Sequence, residues 1–486
     1  MKQDSFKKTG IFLLAFFYGL SITFYYLVPS YNLDGYCQLS LGFKNYAQYF
    51  FSSGRFVTGW LWCLFDLIRI PHNLLSIISI LLANIFLSLS VLEVYKSFLK
   101  YANSRLKKVI LLLSSLLIIY NPYVMEIFIY EESFVMALSI FSVMKASKLC
   151  FDKKYLWGGL VLLLANMMYQ GSICLFIPYY FLLLLFENKD KKLKEFIKIN
   201  YKRIIITGII YGLSMVIVYV SMKLYIDVFN VNSVRNGNVN ILENIKIIFH
   251  HILGDIGTRQ CMMRARYFNM ALCLIAAFVI ISLIIEKKYT QMLYVLLLVL
   301  SIVMFAFVPN LAMPSKSNYI FARMIISCGA MIGFVSLCSL LVDRKLGIVL
   351  VFISLFFAFN TYNYLVSARR DHIRYENDME KLELIRSSIE KYESESNNKV
   401  TEVKYMVNSS NKIYFYFNNK YSVFGQKILH NDWGFICGVQ GIIDNELYVT
   451  HMSKEEYKTY LKDASHDAFD ESDMVFEGNT LYILIF

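Results

Sequence analysis

The 486-residue sequence predicts an all-α polytopic membrane protein of about eleven transmembrane helices with a small extracytoplasmic α+β tail, and three observations carry that expectation. Apolar residues make up 57% of the chain and charged residues 17%. A soluble domain holds about 45–50% and about 25%, so this chain has more apolar surface than a water-soluble core could hide. The apolar residues recur in runs near the roughly 20 that a helix needs to cross a bilayer. After Val366 the composition turns charged and then alternating, which ends the membrane part. The net charge of +12 comes without zinc-finger spacing, an arginine-rich arm or an RNA-binding signature. It therefore reads as membrane topology, and no nucleic-acid partner is expected.

The first run, Ile11 to Pro29 after Lys7 and Lys8, is long enough to span and lacks the small-residue cleavage site of a signal peptide, so it is read as an uncleaved first span. Gly42 to Ile70 is also apolar, but Lys44, Gly54, Arg55, Gly59, Asp66 and Arg69 break it, as in helices that lie in the interface. Further spans are expected at about 74–95, 108–121, 133–150, 155–169, 171–186, 204–226, 268–285, 290–308, 319–342 and 346–365. Residues 155–186 are tight for two crossings at about 1.5 Å per residue. They are read as two short spans joined at Tyr169-Gln170-Gly171.

Basic loops stay cytoplasmic, and a charge at the bilayer centre costs about 2.5–3.5 kcal/mol. With residue 1 inside, the inside segments hold 23 Lys and Arg and the outside loops 9, although the outside loops are about twice as long in total. Loops 30–73 and 227–267 thus face outward, and an odd span count puts the tail there too. The expected organisation is a transmembrane domain, 1–368, and an extracytoplasmic α+β domain, 369–486. In the latter, 369–396 reads as a charged helix, Lys412–Phe417 and Asn479–Ile485 as strands, and Glu477-Gly478-Asn479 as a hairpin turn. Nine scattered cysteines without a CxxC predict neither a disulfide framework nor a metal site. His250-His251 with Asp255 lacks a third ligand at a supporting spacing.

Polar residues that packing does not readily explain collect on the outer side. Asp34 opens the first outer loop in Tyr31-Asn-Leu-Asp-Gly-Tyr36, and Gly54-Arg55 lies near its middle. Asn121-Pro122 ends the third span and is followed by Glu126, Tyr130, Glu131 and Glu132 in a loop without Lys or Arg. Tyr169-Gln170 caps the fifth span, Arg323 begins the tenth, and Arg235, Arg259, Arg264 and Arg266 lie in loop 227–267. Carboxylates facing cations beside a membrane suit a reaction in which one acid takes a proton while guanidinium groups hold a phosphate leaving group. Each residue also has a plainer reading. Asp34 would cap a turn, the glutamates would form a solvated loop, and the arginines would anchor to lipid headgroups.

The set resembles the bacterial polytopic glucosyltransferases that decorate O-antigen and related surface polysaccharides, members of the GT-C superfamily. The matching pieces are Asp34 with Gly54-Arg55, then Asn121-Pro-Tyr-Val-Met-Glu126 leading to Tyr130, Glu132 and Met136-Ala-Leu-Ser139. Tyr169-Gln170, Arg323, and Asn363 followed by the charged helix complete it. The resemblance covers most of residues 20–395 and implies a GT-C-like enzyme. It would transfer a sugar, glucose in that family, from a polyprenyl-phosphate-linked donor to a cell-surface glycan on the extracytoplasmic side of the bacterial cytoplasmic membrane. The implied roles are Asp34 as general base, with Glu132, and Glu131 as the alternative, as second acid. Arg55, Arg323, Glu126, Tyr130, Tyr169, Gln170, Arg259 and Arg266 would bind substrate. No cofactor is required, although Glu131 and Glu132 could hold a divalent metal such as Mg or Mn. A lipid-linked glycan flippase would carry charges deep in several spans and roughly symmetric halves, and the sequence has neither. A polysaccharide polymerase shares the side and the substrate class and differs only in the motifs.

Overall fold

The computed structural model describes all residues except 1, 29–30, 232–238, 256–264, 312, 316–319, 321, 344–345, 408–428, 430–431, 462–468 and 486. The part of the chain up to Ser396 is helical in every regular element among the described residues. In order, its helices are α1 (Lys2–Thr23), α2 (Leu33–Ser52), α3 (Phe56–Ile68), α4 (His72–Phe98), α5 (Arg105–Ile119), α6 (Ser133–Phe151), α7 (Tyr155–Met168), α8 (Phe176–Glu187), α9 (Leu193–Phe229), α10 (Ile241–Asp255), α11 (Ala265–Ile285), α12 (Tyr289–Ala306), the single turn α13 (Val308–Leu311), α14 (Ile326–Cys338) and α15 (Leu346–Ser396).

Among the described residues, eight helical segments are long and apolar enough to cross a membrane, against the eleven expected. The difference lies in three runs that form shorter helices. Helices α5, α7 and α14 have 15, 14 and 13 residues, or about 20 Å each, against a hydrocarbon core of about 30 Å. The run expected at 319–342 is interrupted by a 3-10 turn, Ala322–Met324, so its helix starts only at Ile326. Short helices suit the interior of a bundle, and α14 is buried along its whole length.

Small residues bring these helices close. A Cβ on Gly333 would lie 2.5 Å from the Ile118 backbone nitrogen, and one on Gly158 would lie 2.5 Å from Cys150 Sγ. The α14–α5 and α7–α6 contacts therefore depend on glycine, as expected where helices pack without a hydrophobic driving force between them. The segment expected to lie in the interface forms α2 and α3. Helix α2 bends at Gly42 (φ 71°), Gly54 turns the chain with φ 78°, and α3 leaves Trp60, Leu67 and Ile68 exposed.

Helix α15 runs unbroken for 51 residues, about 77 Å, so the domain boundary expected at 368/369 falls inside one helix. Its charged half is not simply a solvated face. Arg374 is buried between Asp371 (3.0 Å) and Asp378 (3.4 Å). The tail adds α16 (Asp432–Gly438), α17 (Lys454–Tyr460), β1 (Glu402–Val407), β2 (Tyr448–His451), β3 (Met474–Glu477) and β4 (Thr480–Ile485). The strands form one sheet in the order β2-β1-β4-β3, with β1 parallel to both neighbours and β3 antiparallel to β4 across Gly478. The strand expected at Lys412–Phe417 lies outside the described residues.

The tail packs on α2 through α16 and the π-helical turn Val439–Ile443, and a disulfide joins Cys37 to Cys437. That corrects the expectation of no disulfide. The two cysteines are 400 residues apart in sequence, and no spacing rule reaches that far.

Candidate functional site

The N-terminus of α2 sets the first carboxylate. Asn32 occupies the capping position, and its side chain accepts from the Gly35 N–H at 2.8 Å, satisfying an orphan donor of the first turn. The capping role considered for Asp34 is thus filled by Asn32. Asp34 sits in the first turn, partly exposed, and its carboxylate makes no hydrogen bond or ion pair with any described residue. Burial raises its pKa above the usual carboxylate range, and the Arg323 and Arg55 guanidiniums oppose that rise.

Arg55 follows Gly54 and precedes α3. Its guanidinium lies 3.6 Å from Glu132 and over the Tyr169 ring at 5.1 Å. Its Nε is buried with no hydrogen-bond partner among the described residues. Glycine suits position 54 for two reasons. Its φ is positive, which L side chains rarely adopt, and the Gln170 amide, which donates to the Ser53 carbonyl at 3.0 Å, passes beside it.

The acidic loop is folded and buried, not solvated. Pro122 stops α5, and Asn121 Oδ1 accepts from the N–H groups of Tyr123 (3.0 Å) and Val124 (3.2 Å). This turns the chain into a 3-10 helix, Val124–Ile129, that is buried at every residue. Glu126 accepts from the Arg323 N–H at 2.9 Å and lies 3.6 Å from its guanidinium. That guanidinium covers the Tyr130 ring at 4.6 Å, and the Tyr169 hydroxyl donates to the Arg323 carbonyl at 2.9 Å. Tyr169 therefore touches both arginines.

Glu131 and Glu132 diverge. Glu131 lies within 3.2 Å of His72 Nδ1, and burial raises its pKa while His72 lowers it. Glu132 faces Arg55 and accepts from the Gln38 amide at 3.3 Å. Burial pushes Glu132 up to about 7, with Arg55 lowering it and Asp34 raising it further. Because the two adjacent glutamates turn to different partners, they do not share one ligand position. Among the described residues, no group of three His, Cys, Asp or Glu side chains could hold a metal ion.

The structure therefore brings Asp34, Arg55, Glu126, Tyr130, Glu132, Tyr169 and Arg323 into one cluster. Gln170 lies at its edge, and Glu131 lies behind it on His72. Arg235, Arg259 and Arg264, and the side chains of Arg266, His251 and Asp255, lie outside the described residues. Three neighbours escaped the sequence reading: Gln38, Trp62 and His72. The one available signal was that Gln38 lies four residues after Asp34, hence on the same helix face.

A partly exposed carboxylate within the fields of two guanidiniums, beside a second carboxyl pushed up to about 7, can accept a proton from a hydroxyl while cations stabilise a departing phosphate. Residues 30–340 match the sequence profile of the family described as glucosyl transferase GtrII. No curated protein and no solved structure matches the chain.

Proposed function

The chain belongs to the glucosyl transferase GtrII family, and from that premise we propose that this multi-pass membrane glycosyltransferase takes its glucosyl group from a polyprenyl-phosphate-linked donor and delivers it to a surface glycan on the extracytoplasmic side of the bacterial cytoplasmic membrane. The observation that carries this reading is the Asp34 carboxylate, relieved of capping by Asn32 and set within the fields of Arg55 and Arg323.

In the proposed reaction an acceptor hydroxyl oxygen attacks the anomeric carbon. The bond from that carbon to the phosphate oxygen breaks, and its electron pair leaves with the lipid phosphate. The hydroxyl proton passes to Asp34. Arg55 and Arg323 hold the phosphate as its charge develops, which suits the forked donor geometry of guanidinium. Tyr130 and Tyr169 support them on their ring faces, and Glu132, pushed up to about 7, binds sugar hydroxyls or shares the proton.

Two observations support the side. The tail packs on the helix that carries Asp34, so both lie on one face of the membrane. The Cys37–Cys437 disulfide suits an oxidising compartment. Nucleotide sugars are cytoplasmic, so a transfer on the outer face requires a donor already carried across on lipid. The same geometry supports a GT-C-like transmembrane domain, with the tail as an extracytoplasmic domain.

The test is to incubate purified protein and an acceptor glycan with radiolabelled polyprenyl-monophosphate glucose or with a nucleotide-linked glucose, each with and without a chelator. Transfer from the lipid donor alone is expected. Turnover of the nucleotide sugar in the absence of any lipid carrier would refute the mechanism.

A further inference from the structure

We propose that Gln38 is a positioning residue for the transfer reaction: its side-chain amide, oriented by Trp62, fixes the carboxylate of Glu132 beside Asp34. The proposal rests on the reading above that Glu132 takes part in the chemistry.

The orientation of the amide follows from donor and acceptor chemistry. Gln38 is fully buried, and so is Trp62. The Trp62 indole N–H only donates, and it meets Gln38 Oε1 at 2.9 Å. The Gln38 amide nitrogen is thereby turned to the other side, where it donates to Glu132 Oε2 at 3.3 Å. The indole itself cannot rotate freely, because the rings of Phe43, Phe50 and Phe65 pack around it at 5.1–6.3 Å. The chain of contacts therefore runs from an aromatic cluster on α2 and α3, through one amide, to the first residue ahead of α6.

The two oxygens of Glu132 are divided between two donors: Oε1 faces Arg55 at 3.6 Å and Oε2 faces Gln38. Both donors favour the ionised carboxylate. Asp34 and Gln38 are four residues apart on α2, so one helix face presents the general base and the clamp of the second acid together. A shift of α2 would move both, which ties the spacing of the two carboxyl groups to one rigid element. The groups that bear on Glu132 from the surrounding elements are Arg55 at the start of α3, Asp34 and Tyr46 from α2, and Glu131 and Tyr130 from its own loop. Gln38 adds a neutral donor to that set, and its removal leaves every charge in place.

The expected signature is therefore a shift in pH dependence and not a simple loss. Gln38→Met keeps the length and apolar volume but removes both hydrogen bonds. The protonated form of Glu132 then gains, and the acid-side limb of the kcat profile should move up by about one pH unit, a tenfold change in the ratio of its two forms. Trp62→Phe frees the amide to turn and should move the limb in the same direction by less.

The experiment measures kcat against pH for purified wild-type protein, Gln38→Met, Trp62→Phe, Glu132→Gln and the double variant, with the lipid-linked donor and a melting temperature for each. Glu132→Gln should remove the part of the limb that Glu132 contributes and leave the part set by Asp34, and adding Gln38→Met to it should shift nothing further. An unmoved limb in folded Gln38→Met, alongside a limb altered in Glu132→Gln, would overturn the positioning role. A Glu132→Gln variant with wild-type rate and profile would instead overturn the reading on which the proposal rests. Should Gln38→Met fail to fold, the limb of Trp62→Phe decides the question, since an unmoved limb there overturns the proposal.

Discussion

Replacing Asp34 by asparagine separates chemistry from structure at this site. Asparagine keeps the size of the side chain and removes its capacity to take a proton. General-base help is worth about 10²–10⁴-fold, and the rate of transfer should fall by that factor. The structure also sets the sign of the stability change. The Asp34 carboxylate makes no hydrogen bond or ion pair with a described residue, and the helix is capped by Asn32, so the substitution removes only the attraction of Arg323 and Arg55, which burial outweighs.

Burial raises the Asp34 pKa in the folded protein, so folding favours the protonated form. That contribution to stability is complete below the unfolded pKa and is lost as pH rises through the folded value. Asparagine is uncharged at every pH and keeps it. At neutral pH the variant should melt at the wild-type temperature or above while its activity collapses. The assay pairs transfer of radiolabelled glucose from the lipid donor with a fluorescence melt of the same purified protein. Activity within a few-fold of wild type would return Asp34 to a structural role. A loss of activity matched by a lowered melting temperature would refute the argument that its charge is a cost to the fold.

Other substitutions probe the cluster around it. Arg55→Lys keeps the charge, yet an ammonium cannot reproduce a forked contact, so kcat/KM should drop by about tenfold or more, a barrier change of about 1.4 kcal/mol; retention of wild-type kcat/KM would show that charge alone suffices. Gly171→Ala puts a Cβ 2.5 Å from the Arg323 carbonyl oxygen and 2.7 Å from the Tyr169 ring, an overpacking worth about 1–3 kcal/mol. Both activity and melting temperature should fall, and a variant indistinguishable from wild type would dismiss the Tyr169–Arg323 contact. In a variant that keeps only Cys37 and Cys437, an impermeant thiol reagent should label intact cells only after treatment with an impermeant reductant. Labelling only after lysis would reverse the orientation, and labelling without reductant would mean that the disulfide does not form.

Much of the site was legible because charged and polar side chains at the ends of apolar runs stand out against a composition that leaves few of them. Asp34, Arg55, Glu126, Tyr130, Glu132, Tyr169 and Arg323 were all visible on that ground, and the structure gathers them. Gln38, Trp62 and His72 were not, because a buried glutamine, tryptophan or histidine beside a span looks like packing until its partner is known. The partners of Gln38 lie 24 and 94 residues away, beyond any local pattern. The same holds for the Cys37–Cys437 bond. In the fold, apolar runs located the helices well. Their lengths were less readable, since hydropathy does not register where a 3-10 turn, as at Ala322–Met324, delays a helix.

The account's central claim is that this glucosyltransferase works with a lipid-borne donor on the face of the membrane that carries Asp34 and the tail. The most direct measurement uses sealed vesicles in which purified protein has been inserted in both orientations beside polyprenyl-phosphate glucose, with a membrane-impermeant acceptor glycan added outside. Molecules with an exposed tail are then removed from the reaction by an antibody against residues 432–460. The account predicts that transfer to the external acceptor disappears with that population and that an Asp34→Asn preparation shows none at the outset. Transfer that persists undiminished after the exposed tails are blocked would place the reaction on the opposite face and contradict it.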